Sequence, residues 1–335
     1  MRKALAVLFC LLPLASEAGY RERLERLARK DVAVILTRGF EPAPGSPMAR
    51  RMKSNWPAVI QYFRSLGYMD VSLSSDLPGN AVWKGAQILA RDIERSPKPV
   101  FLIAHSAGGP KSLEALRLSK EAFANTAALK FVHCPLGGAA VCEMMLNRLE
   151  PDRHLTDFYE SSLDRTRAFQ QMAFNFWDPF QVRRLHPLWA SVEDGWYDAG
   201  RTVARGYRAV RGMQTDWIVQ YQWGGDAEIL NELTPSVRAK YLADHAGFLR
   251  RLGAEIPVVS VVASGGDPQK RLKQWLHERG HANDGVVEVA SQSALYEMGV
   301  GKRVLVSSGH LDAIRWPAEF SQNWERPCAA LLEGY

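Results

Sequence analysis

The chain has 335 residues, 47% of them hydrophobic and 23% charged, with a formal net charge of +6. This is the make-up of a globular protein with ample chain for a core, and it excludes a disordered, fibrous or repeat architecture. The basic residues are spread out rather than clustered, which argues against nucleic acid as a partner and allows only a mild attraction to anionic surfaces.

The N-terminus reads as an export signal. Arg2 and Lys3 form a positive end, and Ala4 to Ala15 is an apolar stretch too short to span a bilayer comfortably. Ser16 and Ala18 supply the small residues of a cleavage site after Ala18. Residues 1–18 are therefore read as a signal peptide, and the mature protein as exported, either periplasmic or secreted. An uncleaved anchor is the alternative.

Residues 19–30 form a charged helical lead-in. Val32 to Leu36 is a buried strand, followed by Arg38-Gly39-Phe40 and a turn-rich loop with Pro42, Pro44, Gly45 and Pro47. Met48, Met52, Trp56, Ile60 and Phe63 recur at helical spacing across residues 48–66. A strand over Tyr68–Leu73 and a helix over Ala81–Arg95 come next. Val100 to Ala104 is again an apolar strand, and the helical pattern after it carries Leu113, Leu116 and Leu118. Leu129 to His133 is a further strand. Strands alternating with helices through short connections predict a mostly parallel sheet flanked by helices on both faces.

That rhythm breaks between residues 150 and 251. The stretch is helical in pattern and rich in aromatics, with five of the ten tryptophans lying between Trp177 and Trp223. It predicts a separate helical layer whose aromatics either pack its own core or wall an apolar pocket. Arg201, Arg205, Arg208 and Arg211 fall near one face of a helix there, as a solvated face or as a contact for an anionic lipid surface. Ile256 to Ala263 resumes the sheet. A loop with Asp267 follows, then a basic helix and the segment Asn283-Asp284-Gly285-Val286-Val287. Lys302 to Ser307 is the last strand, and Gly309-His310-Leu311-Asp312 comes directly after it.

Ser106 sits where the Val100–Ala104 strand turns into a helix, with Ala104 two residues before it and Gly108 two residues after. A serine on so sharp a turn needs small neighbours, and the turn holds its hydroxyl above the sheet edge. A serine hydroxyl is a weak nucleophile near neutral pH. It requires a base within hydrogen-bond reach and a third group to fix the base's tautomer. His310, after the last strand, is the candidate base. Asp267 and Asp284 compete for the third role. The other seven histidines, His105 and His133 among them, are read as structural or surface residues.

The strand–Ser106–helix turn resembles the nucleophile elbow of the α/β-hydrolase fold, with Ala104 in place of the usual first glycine. Asn-Asp-Gly-Val-Val resembles the acid-bearing segment of bacterial lipases, and Gly-His-Leu-Asp resembles the segment around their catalytic histidine. This resemblance implies an α/β-hydrolase core over residues 19–149 and 252–335, with a large helical cap inserted at 150–251. It implies a triad of Ser106, Asp284 and His310, and it favours Asp284 over Asp267. It also implies an oxyanion hole built from the N–H groups of Phe40 and Ala107, although Arg38 stands where the family often has histidine. A structural calcium at Asp267 and Asp312 is a further implication. No other cofactor is expected. The implied activity is hydrolysis of carboxylic esters, by a lipase or esterase acting on small-molecule or lipid substrates with peripheral membrane contact. The same triad also serves acyltransferases and peptidases. A non-catalytic lipid- or surface-binding protein on this scaffold is the reading from another class.

Three cysteines lie beyond the signal segment. Export permits a bridge between Cys134 and Cys142; three buried thiols are the other reading.

Overall fold

The computed structural model describes residues 19–41, 54–77, 79–146, 228–265, 276–277 and 280–333. The expected signal segment and most of the expected cap, including its arginine row, lie outside the described residues. No helix among the described residues is long and apolar enough to cross a membrane.

Six strands form one parallel sheet. In chain order they are β1 (Ala33–Thr37), β2 (Asp70–Leu73), β3 (Val100–His105), β4 (Thr126–Val132), β5 (Val258–Ala263) and β6 (Lys302–Val306). Their order across the sheet is β2-β1-β3-β4-β5-β6, with every neighbouring pair parallel. β3 and β4 lie in the middle and are buried along their whole length. Strands covered on both faces read as near-continuous apolar runs instead of alternating ones, and β4 departs from this at the fully buried Lys130.

The helices are α1 (19–28), α2 (Trp56–Ser65), α3 (Val82–Glu94), α4 (Gly108–Leu118), α5 (Lys120–Ala124) and α6 (Ala140–Met145). After the undescribed stretch come α7 (Glu228–Glu232), α8 (Pro235–Asp244), α9 (Ala246–Glu255), α10 (Val289–Gln292), α11 (Ala294–Glu297), α12 (Asp312–Arg315) and α13 (Arg326–Leu332). Alternate residues of β3 divide the core between the two faces. Phe101 and Ile103 pack with Phe63 of α2 and with Trp324 and Leu331 near the C-terminus. Leu102 and Ala104 pack with Leu89 and Ile93 of α3, Leu113 and Leu116 of α4, and Leu249 and Leu252 of α9.

Three local expectations change. The helix expected over 48–66 begins at Trp56, because the Asn55 side chain caps it by accepting the Ala58 N–H at 3.4 Å and Pro57 occupies its first turn. β4 starts at Thr126 instead of Leu129; Thr126, Ala127 and Ala128 are buried but too small to give a strong apolar signal. The short α5 was not expected from the sequence. Ser119 starts it by accepting the Ala122 N–H at 3.0 Å.

Of the two readings of the cysteines, the thiols hold: Cys134, Cys142 and Cys328 are all free and buried. Cys134 directs its sulfur at the carbonyls of Ala104 and Val132, at 3.3 and 3.4 Å.

Candidate active site

In a parallel sheet the strand ends all emerge at one rim, so loops distant in sequence meet there. Ser106 follows β3 at that rim. Its φ is +54°, a left-handed conformation that costs a non-glycine residue on the order of 1–2 kcal/mol. The turn is fixed from both sides: the Ser106 N–H donates to the Val132 carbonyl at 3.1 Å, and the Ser106 carbonyl accepts the Gly109 N–H at 3.0 Å.

The small residues around the turn have specific neighbours. A Cβ on Gly108 would stand 2.6 Å from the Thr37 carbonyl oxygen and 3.0 Å from that of Arg38. The glycine two positions after the serine is therefore demanded by the end of β1. A Cβ on Gly39 would stand 2.5 Å from Ser106 Cβ. The loop after β1 thus runs directly against the serine.

The three residues expected to act together come together. Ser106 Oγ lies 2.9 Å from His310 Nε2, and His310 Nδ1 lies 2.9 Å from Asp284 Oδ2. Ser106 is half-buried, His310 is 4% exposed and Asp284 is fully buried. Asp284 owes its aim to its own short segment. The Asn283 side chain accepts the Gly285 N–H at 2.9 Å, and Gly285 adopts φ +99°, which favours glycine. That turn brings the Val286 and Val287 N–H groups onto Asp284 Oδ1, at 2.9 and 2.8 Å. The His310 N–H then donates to the Asp284 carbonyl at 2.9 Å, so backbone and side chains are paired in parallel. With two backbone donors on one oxygen and the imidazole on the other, the geometry favours a carboxylate that accepts the His310 Nδ1 proton and leaves Nε2 open toward the serine.

Two histidines read as structural or surface residues border this site. His105, next to the serine, approaches the His310 carbonyl with Nε2 at 2.9 Å, and its ring lies 5.2 Å from the His310 ring. Burial, with His310 and His133 as further causes, pushes its pKa well below the usual histidine value. A neutral His105 contacting that carbonyl carries its proton on Nε2, and its buried Nδ1 has no partner among the described residues. His133 pairs Nε2 with Asn323 Oδ1 at 2.9 Å. The Asn323 amide nitrogen donates to the Glu319 carbonyl at 2.9 Å, which turns its oxygen toward His133. Burial also lowers the His133 pKa. Both rings approach the His310 carbonyl, His133 with Nδ1 at 3.3 Å, and nothing in the sequence beyond the adjacency of His105 to Ser106 signals them.

The loop carrying Gly39 and Phe40 is tied at both ends. Arg38 Nη2 donates to the Asp76 carbonyl at 3.0 Å. Glu41 accepts the Trp56 indole N–H at 2.7 Å and the Ser54 hydroxyl at 3.0 Å, while burial pushes its carboxyl pKa up. Phe40 packs beside the cluster that holds Ala107. Ala107 precedes α4, and its N–H meets no acceptor among the described residues. Of the two residues expected to form the oxyanion hole, Ala107 follows Ser106 in the chain, and Phe40 follows Gly39, whose loop runs against the serine.

The calcium expectation rests on two aspartates. Asp267 lies outside the described residues, and Asp312 spends Oδ2 on the Gly309 N–H at 2.8 Å. Ligand-type atoms of His133, Asp284 and His310 lie within 4.8 Å of one another. Those of Asp284 and His310 are bonded to each other, and His133 has the Asn323 contact.

No family model matches the chain, and no curated protein matches it. Solved structures do. The mature form of the Bacillus licheniformis lipase BlEst2 superposes with a TM-score of 0.52 at 13% identity, covering 87% of this chain and 89% of the lipase. The metagenomic carboxyl esterase MGS0156 gives a TM-score of 0.52 at 16% identity, covering 90% of this chain and 74% of the esterase. At such identities the likeness speaks to architecture. The chain has an α/β-hydrolase fold, with its parallel sheet flanked by helices.

Proposed function

We propose that this chain is an exported serine hydrolase that cleaves carboxylic esters, working as a lipase or esterase through Ser106, His310 and Asp284. One observation carries the reading: a hydroxyl, an imidazole and a carboxylate aligned through two contacts of 2.9 Å at the end of a strained strand-to-helix turn. In this reading Ser106 Oγ attacks the acyl carbon while His310 Nε2 takes its proton. Asp284 holds the imidazolium that forms. The carbonyl oxygen becomes an anion facing the N–H groups of Phe40 and Ala107. His310 then returns the proton to the departing alcohol, leaving an acyl group on Ser106. Water, activated by the same imidazole, releases the acid. The likeness to a lipase and a carboxyl esterase supports small-molecule or lipid esters as the substrate class.

The experiment is chromogenic ester hydrolysis and fluorophosphonate labelling, run on wild type and Ser106→Ala. Wild type is expected to turn over the ester and to be labelled. The variant is expected to do neither while keeping its circular dichroism and melting temperature. Retained turnover in the variant removes the serine from the mechanism. A wild-type serine that neither turns over nor labels leaves a binding protein on a hydrolase scaffold. Product analysis with alcohol and amine competing against water separates an acyltransferase or peptidase from a hydrolase.

A further inference from the structure

Gln292, the last residue of α10, is 1% exposed and faces the carboxylate from behind. Its amide orientation is set by backbone: Oε1 accepts the Ala263 N–H at 2.8 Å, so Nε2 must be the atom that meets the remaining acceptors. Those are the Val287 carbonyl at 3.0 Å, the Ala263 carbonyl at 3.2 Å and Asp284 Oδ2 at 3.2 Å. Asp284 Oδ2 is the same oxygen that faces His310 Nδ1. Ala263 ends β5 and pairs in register with Val306, which ends β6 just before the His310 loop. One side chain therefore touches the end of β5, the turn that aims Asp284, and the oxygen that meets His310.

We propose that Gln292 is a positioning residue for the triad: its amide fixes the Asp284 carboxylate plane so that Oδ2 presents to His310 Nδ1. It does not touch substrate or the reacting atoms. It acts by holding a group that holds the base, in the way outer hydrogen-bond partners orient ligating or catalytic side chains. Two backbone donors hold Oδ1, and the Gln292 amide, anchored to a strand end, holds the other oxygen where it meets His310 Nδ1. The proposal rests on the serine-hydrolase reading, and its test separates the two.

The variants are Gln292→Met, which keeps length and volume but removes donor and acceptor, and Gln292→Glu, which keeps an acceptor for the Ala263 N–H but turns a carboxylate toward Asp284. Active sites are first counted by fluorophosphonate labelling, so kcat is expressed per labelled serine. Gln292→Met is expected to lower kcat about tenfold with KM unchanged, the size of effect that removing an outer partner typically has. Gln292→Glu is expected to lose at least as much despite satisfying Ala263. In parallel, proton NMR without substrate follows the far-downfield resonance of an imidazole N–H bonded to a carboxylate. That resonance is expected in wild type and weakened or shifted in both variants. Wild-type kcat per labelled serine in Gln292→Met, with the resonance unmoved, overturns the proposal and leaves Gln292 as packing. So does an activity loss that Gln292→Glu restores, because then only the Ala263 contact matters. If Gln292→Met fails to fold, Gln292→Glu and its resonance decide. A wild type that shows the resonance but neither labels nor turns over sinks the hydrolase reading, while the NMR arm still judges Gln292.

Discussion

At the scale of single residues, the site is held by close approaches that leave no room for adjustment. Gly39 is the clearest case. Its φ is not in the left-handed region, so backbone freedom is not what demands glycine there; contact with Ser106 does. A methyl group 2.5 Å from Ser106 Cβ and 3.0 Å from Oγ must displace either the serine or the loop carrying Phe40. Gly39→Ala is therefore expected to lower kcat for ester hydrolysis about a hundredfold, the cost of misplacing reacting groups by an ångström. The protein should remain folded, because the clash sits at the rim and not in the core. Steady-state kinetics beside a melting curve check both halves of this. His105 works at the same scale. With the His105 proton on Nε2, the residue beside Ser106 donates to the His310 carbonyl, which ties the two segments together through the backbone.

At the scale of elements, the notable feature is a buried ion pair between α4 and the loop after β2. Lys111 Nζ lies 2.6 Å from Asp76 Oδ2, with side chains 0% and 3% exposed. Asn80 donates to the other Asp76 oxygen at 2.8 Å, and Arg38 holds the Asp76 carbonyl. The helix that begins beside Ala107 and the loop that carries Phe40 are thus braced against one anchor. Removing one partner leaves an uncompensated charge in the interior, which costs far more than the pair contributes. Asp76→Ala is expected to destabilise the fold by about 3 kcal/mol in a denaturant titration, and Asp76→Leu with Lys111→Met should recover most of that loss. None of this was legible in the sequence, where Lys111 reads as one more charge on an amphipathic helix and Asp76 lies 35 positions away. What was legible shares one property, that it is local. The β3 run and Asn283-Asp284-Gly285 carry their structural reason within a few residues, and the serine turn and the His310 segment carry a short motif that the resemblance picks out. Gln292, His133 and Lys111 have their reasons in partners supplied by other elements, and a residue's own neighbours in the chain say nothing of those.

At the scale of the molecule, the bonded trio is assembled from both sides of the long stretch 147–227: Ser106 lies before it, Asp284 and His310 after it. The stretch leaves and re-enters at one place. Ala139 N–H donates to the Leu233 carbonyl at 2.9 Å, and Val141 and Cys142 of α6 pack with Ile229 and Leu230 of α7. Replacing residues 147–227 by a short glycine–serine linker is therefore expected to give a protein that still folds and still labels at Ser106 with a small fluorophosphonate. Circular dichroism and mass-resolved labelling check this, and an unfolded product would show that the stretch completes the core. The clasp between α6 and α7 holds the two ends of the excision side by side. The linker variant therefore asks whether the proposed chemistry and the choice of what reaches it are written in separable parts of the gene.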